Sequence, residues 1–187
     1  MRLLFTLLER APESWIRSDI VISLGDLASR FPNQVNPWTP KLYERLRDED
    51  AGVRKNTLMV LSHLILNEMI RVKGQISEIA LCIEDSNQQI ADLARLFFNE
   101  LNSKGNFLNS IFNILPDMIS NLFVNNVPSQ TFRSIMKYLF SFIEKERETE
   151  TLIDRLCQKR MKVTTGTSPF SFSSVSPSHF RFFFPTK

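Results

Sequence analysis

From Asp48 to Lys73 the chain reads as a polar turn followed by one long helix. Its apolar residues, Val53, Leu58, Met59, Val60, Leu61, Leu64, Ile65, Leu66, Met69 and Ile70, are too many for a single stripe. A helix that is apolar over most of its circumference must be covered from several sides. Asp50 stands at the predicted N-cap, where its carboxylate accepts from first-turn amides and meets the positive end of the helix dipole.

A shift of 37 residues brings the pattern back. Ile16-Arg17, Val53-Arg54 and Ile90-Ala91 each open a helix, and Phe132-Arg133 follows as a fourth copy after an interval of 42. Eight residues into each copy stand Leu24, Leu61, Phe98 and Phe140. Three residues before the last three openings stand Asp50, Asn87 and Ser129, all good N-cap types. Upstream, Leu42, Leu46 and Asp48 recur as Ile79, Ile83 and Asp85. Two helices per unit and a period near 37 predict an all-α fold, an α-solenoid of antiparallel helix pairs with about four repeats, in which each pair relies on its neighbours to cover its apolar face.

In chain order, the first full helix is Ser14 to Arg30, with Ser14 as cap and a stop set by Pro32, which disfavours helical geometry at Phe31. Gly25 inside it costs about 1 kcal/mol against Ala. Either a neighbouring helix approaches closely there, or the glycine is a tolerated weak spot. Pro37-Trp38-Thr39-Pro40 starts a short helix ending near Arg47, with Thr39 as N-cap, Pro40 at the first helical position and Trp38 stapled onto Tyr43. Gly74 precedes Gln75 to Glu84, whose inner face is Ile76, Ile79, Ala80 and Ile83. Ile90 to Asn102 follows, with Leu93, Ala94, Phe97, Phe98 and Leu101 inward and Lys104-Gly105 as its end. Asn109 to Phe123 contains Pro116, which kinks or splits a helix. Thr131 to Glu144 puts Phe132, Ile135, Met136, Leu139, Phe140 and Ile143 on one side. Glu148 to Arg160 reads as the first helix of a fifth unit.

Composition then divides the chain. The repeat body, residues 1–160, holds as many Lys and Arg as Asp and Glu, whereas residues 161–187 hold three cations and no acid, so the whole formal charge of +3 comes from the tail. A balanced body carries no bulk signature of nucleic-acid binding, and any such role rests on local patches. The Ser-, Pro- and Phe-rich tail has no helical or strand period and is expected to be disordered. The alternative for its six phenylalanines is a docking peptide. Met1 to Leu8 is read as the end of a helix from an earlier repeat, since Glu9 and Arg10 stand where a signal-peptide cleavage site would be. No apolar run approaches the ~20 residues of a membrane span. Cys82 and Cys157, 75 apart and without metal-ligand spacing, read as free thiols in a reducing compartment.

Residues that carry chemistry are scarce, and no catalytic, cofactor-binding or metal-ligating set is expected. His63, the sole histidine of the body, reads as a satisfied core residue. Asp48-Glu49-Asp50 lacks the alternation and glycine of a calcium loop and reads as a capping turn. Arg54 lies six residues after Asp48, a spacing that bridges neighbouring turns of stacked repeats. The candidate contacts for DNA or an acidic partner are Arg71 and Lys73, at the junction of two repeats with no carboxylate between Glu68 and Glu78, then Lys41 with Arg45 at i,i+4, and Lys55. Contacts of that kind position a phosphate backbone and read no bases.

Asp48-x4-Val53-Arg54 within a two-helix unit resembles the HEAT-repeat consensus, from which the next copy departs with Ala91 in place of Arg. Asp48, Asp50, Val53, Arg54, Asp85 and Ile90 are the repeat positions on which that likeness rests. SLGDLASRFPNQVNPWTPKLYERLRDEDAGVRKN, LSHLILNEMIRVKGQISEIALCIED, IADLARLFFNELNSKGN and ILPDMIS resemble, more narrowly, the C-terminal HEAT block of the condensin subunit 1 family, the non-SMC regulatory subunits of condensin. The likeness covers about residues 13–160, weakens around Phe107 to Ser110 and disappears after Arg160. It implies a non-enzymatic part in mitotic chromosome condensation, without cofactor. The implied partners are the kleisin subunit, the SMC ATPase heads and chromatin DNA, and the implied setting is the nucleus and mitotic chromosomes with a cytoplasmic pool. A general HEAT adaptor for another protein cargo, or autonomous DNA binding, are the other functions compatible with these residues.

Overall fold

The 37-residue period becomes a row of packed helix pairs. The computed structural model describes residues 2–70, 75–104 and 111–143, and among these every regular element is helical. Two compact units divide the chain, Met1–Ile135 and Met136–Lys187. In the first, α1 (Arg2–Arg10) packs on α2 (Ser14–Arg30). After a short α3 (Pro32–Val35) and a 3-10 turn Asn36–Trp38, α4 (Thr39–Glu44) and the 3-10 turn Arg45–Arg47 pack on α5 (Ala51–Leu66). The third pair is α6 (Ile76–Leu81) with the turn Cys82–Glu84, then α7 (Gln88–Ser103). The second helices stack in order, α2 on α5 and α5 on α7, and α8 (Ile111–Val124) lies against α6 and α7. The last helix, α9 (Ser129–Phe140), crosses the division. Within the second unit the rings of Tyr138 and Phe142 meet edge to face at 5.2 Å.

Equivalent positions supply the core of the first unit. Phe5, Leu42 and Ile79 on the first helices, and Leu24, Leu61 and Phe98 on the second, are fully buried and each 37 residues from the next. Each such side chain contributes about 1.5–3 kcal/mol through burial. The first helices thus include α1, which stands in the register of α4 and α6 and is the partner of α2. The expectation that Met1 to Leu8 belongs to an earlier repeat is thereby corrected, because α1 is paired with α2.

Gly25 is a close approach. A Cβ built there would lie 2.9 Å and 3.0 Å from the two γ-carbons of Val60, so α5 sits against bare backbone of α2.

Several local expectations are corrected. Ser14 is the first helical residue of α2, and the cap position belongs to Glu13 (φ −80°, ψ 124°), 37 residues before Asp50 (φ −82°, ψ 126°) and 74 before Asn87 (φ −90°, ψ 114°). Asp50 accepts from the Val53 amide at 3.0 Å and Asn87 from the Gln89 amide at 2.9 Å, whereas Glu13 makes no such bond. One extra methylene carries its carboxylate past the first-turn amides. Thr39 is helical and does not cap, because the chain coils without interruption through Asn36–Trp38; its hydroxyl donates to the Asn36 carbonyl at 2.7 Å. Trp38 stacks on Phe5, centroids 5.3 Å apart.

The long helix stops at Leu66, short of Met69 and Ile70. Glu68 takes a left-handed φ of 58°, the Glu68 amide donates to Ile65 at 3.0 Å and the Met69 amide to Leu64 at 2.9 Å, so a Schellman turn folds Ile70 back into the core. Asn126 (φ 51°) ends α8 in the same way. Of the two outcomes expected at Pro116, the split is absent, since α8 runs through it. Ser129 is already helical in α9, which starts two residues before the expected Thr131. Gly74, Gly105, Asn109, Glu144, the segment Glu148–Arg160 and the tail 161–187 lie outside the described residues.

Candidate functional site

Two successive joints between helix pairs are each held by an arginine that starts on one pair and ends on the next. Arg17 donates through Nε and Nη2 to the two carboxylate oxygens of Asp48, at 2.9 and 2.8 Å, and its Nη1 donates to the Ala11 and Pro12 carbonyls. Thirty-seven residues on, Arg54 repeats this with Asp85, at 2.9 and 3.0 Å, and with the Asp48 and Glu49 carbonyls. The planar guanidinium fork suits the task, since two parallel bonds fix the angle between the groups as well as their distance. Asp48 also accepts from the Asp50 amide at 3.1 Å and Asp85 from the Asn87 amide at 2.8 Å, so each aspartate ties an incoming arginine to the turn that starts the next helix. Ala91 occupies the next arginine position and the ladder ends there.

Burial raises the pKa of both aspartates, but the arginine fork and the backbone amide together outweigh it and hold Asp48 and Asp85 below the ordinary carboxylate range. Asp48, Asp50, Val53, Arg54, Asp85 and Ile90, the repeat positions named from the sequence, are thereby gathered at these joints. Val53 and Ile90 are the buried residues that precede Arg54 and Ala91. Arg17, the first rung, was missed. The 37-residue shift that placed Ile16-Arg17 beside Val53-Arg54 was the signal for it.

Three of the cation candidates, Lys41, Arg45 and Lys55, are engaged within the protein. The Lys41 ammonium donates to Glu9 and lies 5.7 Å from the centre of the Trp38 ring. Arg45 approaches Asp48, Nη1 to Oδ2 3.7 Å, and its Nε is buried without a hydrogen-bond partner among the described residues. Lys55 donates to the Gln89 amide oxygen at 3.3 Å across to α7. Arg71 and Lys73 lie outside the described residues.

His63 is corrected from core to surface. It is exposed on the last turn of α5, where the Asn67 amide nitrogen lies 3.1 Å from its Nδ1. Cys82 is buried, and desolvation followed by the charges of Asp85 and Glu78 pushes its thiol up to about 12, so it stays protonated and unreactive near neutrality. Among the described residues no group of three His, Cys, Asp or Glu could hold a metal ion, and no helix is long and apolar enough to cross a membrane.

A repeating joint of this kind is a mechanical arrangement. The sequence profile described as non-SMC mitotic condensation complex subunit 1 matches residues 15–167. The chain belongs to this family. The matched span runs past Arg160, where the resemblance read from the sequence ended. Among relatives, the chain is 48% identical over 166 residues to the condensin-1 complex subunit CAP-D2 of Arabidopsis thaliana, covering 89% of the chain and 12% of that protein. It is 52% identical over 161 residues to condensin complex subunit 1 of Xenopus laevis, covering 85% and 12%, and 51% identical over 161 residues to that of Homo sapiens, covering 85% and 11%. The chain therefore spans about an eighth of the length of these condensin subunits.

Proposed function

We propose that the chain is a non-catalytic scaffold segment of a condensin complex, acting in mitotic chromosome condensation through contacts of its repeat surface with the kleisin subunit and the SMC ATPase heads. The observation that carries this reading is the two-rung ladder inside a matched condensin-family segment. Arg17 to Asp48 and Arg54 to Asp85 fix the angle between successive pairs, and a row of pairs held at set angles is a means of presenting surface to macromolecules. The nucleus and mitotic chromosomes, with a cytoplasmic pool, are the proposed setting, and a repeat body of residues 1–160 followed by a separate tail of 161–187 the proposed domain division.

Pull-down of the full chain with kleisin and SMC heads tests the reading. Recovery of both is expected. Recovery of neither, together with an unrelated cargo, would transfer the chain to the general HEAT adaptors. Arg71 and Lys73 are proposed as the DNA or partner contacts, ahead of Lys41, Arg45 and Lys55, whose charged groups already have intramolecular partners. Charge reversal of Arg71 and Lys73 is then expected to lower salt-sensitive retention on DNA. Unchanged retention removes both.

A further inference from the structure

Ile22, Met59 and Leu96 occupy one position in three successive helix pairs, 37 residues apart, and they are 45%, 50% and 54% exposed. Two residues further along each helix, Leu24, Leu61 and Phe98 are fully buried. The outward apolar residue is therefore a feature of the repeat, displayed once per helix across α2, α5 and α7. Scattered single apolar residues on a surface need no explanation. Three in register form a line that crosses the stack, with steps of about 8–10 Å set by the spacing of packed helices.

The two ends of this line are acidic. Asp26 and Glu100 stand one turn beyond Ile22 and Leu96 in the chain, and Asp19 one turn before Ile22; all three are exposed, and among the described residues no cation pairs with them. At the centre, Met59 has Lys55 one turn before it, its ammonium donating to Gln89, and His63 one turn beyond, so carboxylates outnumber cations along the line without excluding them. Phosphates would be repelled here, and a second copy of the same face would set carboxylate against carboxylate. A cationic segment of another protein is the complementary occupant. A polyproline-type extended chain has three residues per turn and rises about 3.1 Å per residue, so every third side chain returns to the same side after about 9 Å. That step matches the helix spacing.

We propose that the Ile22–Met59–Leu96 line is a docking site for an extended, lysine- or arginine-rich segment of a partner protein bearing an apolar side chain at every third position. The inference deepens the scaffold reading by giving one partner segment its chemistry.

The test uses the full chain and the fluorescein-labelled probe peptide KLPKLPKLPK, with ELPELPELPE and KSPKSPKSPK as controls, read by fluorescence anisotropy. Saturable binding of the first peptide alone is expected. The triple variant Ile22→Ser, Met59→Ser, Leu96→Ser removes only exposed side chains, and with its circular dichroism unchanged it is expected to bind at least about tenfold more weakly. Asp19→Asn with Asp26→Asn is expected to weaken binding and flatten its salt dependence. Equal binding of all three peptides, no binding of KLPKLPKLPK, or unchanged binding by the folded triple variant overturns the proposal. So does a wild-type dimer in sedimentation that the triple variant abolishes, which would assign the line to self-association. If kleisin and SMC heads are not recovered while the peptide still binds through the line, the condensin reading fails and the docking site stands. If they are recovered and the line proves inert, the reverse holds.

Discussion

Arg54 belongs to the second helix pair by its backbone and to the third by its charge. Its Nε and Nη2 reach the two oxygens of Asp85 at 2.9 and 3.0 Å, with side chains only 13% and 11% exposed. Removing one partner of such a pair leaves the other desolvated and unsatisfied. Arg54→Ala is expected to cost about 2–3 kcal/mol in urea denaturation. The Arg47–Glu78 pair has the same bidentate form, but Arg47 is 60% exposed, and Arg47→Ala should cost less than about 0.5 kcal/mol. Equal losses would mean that position in the stack, not burial, sets the strength of these bridges.

The same pairs set the acid limb of stability. Asp48 and Asp85 have folded-state pKa values below their ordinary 3.8. The stability they contribute is therefore complete above that range and is lost as pH falls through the lower folded-state values. Denaturant midpoints measured from pH 6 downward should fall below about pH 4, and Asp85→Asn should shallow that fall while lowering stability at neutral pH. A midpoint profile in Asp85→Asn parallel to that of the wild type contradicts this linkage.

Gly25 tests the packing of α2 on α5. A methyl group there meets Val60 at 2.9 Å, so Gly25→Ala should lose about 1–3 kcal/mol despite the better helix propensity of alanine. Val60→Ala in the same chain opens room and should recover most of the loss. A double-mutant cycle gives the coupling directly.

Glu13 holds the cap geometry of Asp50 and Asn87 without making their hydrogen bond. Glu13→Asp shortens the side chain to the length that works at Asp50. It is expected to add about 0.5–1 kcal/mol, read from thermal or urea unfolding, while Asp50→Ala should remove about 1 kcal/mol. No gain from Glu13→Asp would mean that the first turn of α2 is held by α1 instead of by its cap.

The chain by itself determined the helical class, the 37-residue period and the identity of most core positions, because burial on one face of a helix leaves a mark every three or four residues. Asp50 and Asn87 were legible as caps for the same local reason. Tertiary structure decided the rest. Ile70 is as apolar as Ile65, yet Glu68 turns left-handed between them, since the next pair needs the chain to reverse there. His63 resembled a core residue because its neighbours are apolar, and only the stacking of α2 and α7 on α5 decided which side of that greasy helix remained outside. Asp48 and Arg54 could be seen six residues apart, but the carboxylate that Arg54 grips lies 31 residues away, and such a pairing exists only once one helix pair has been laid against the next.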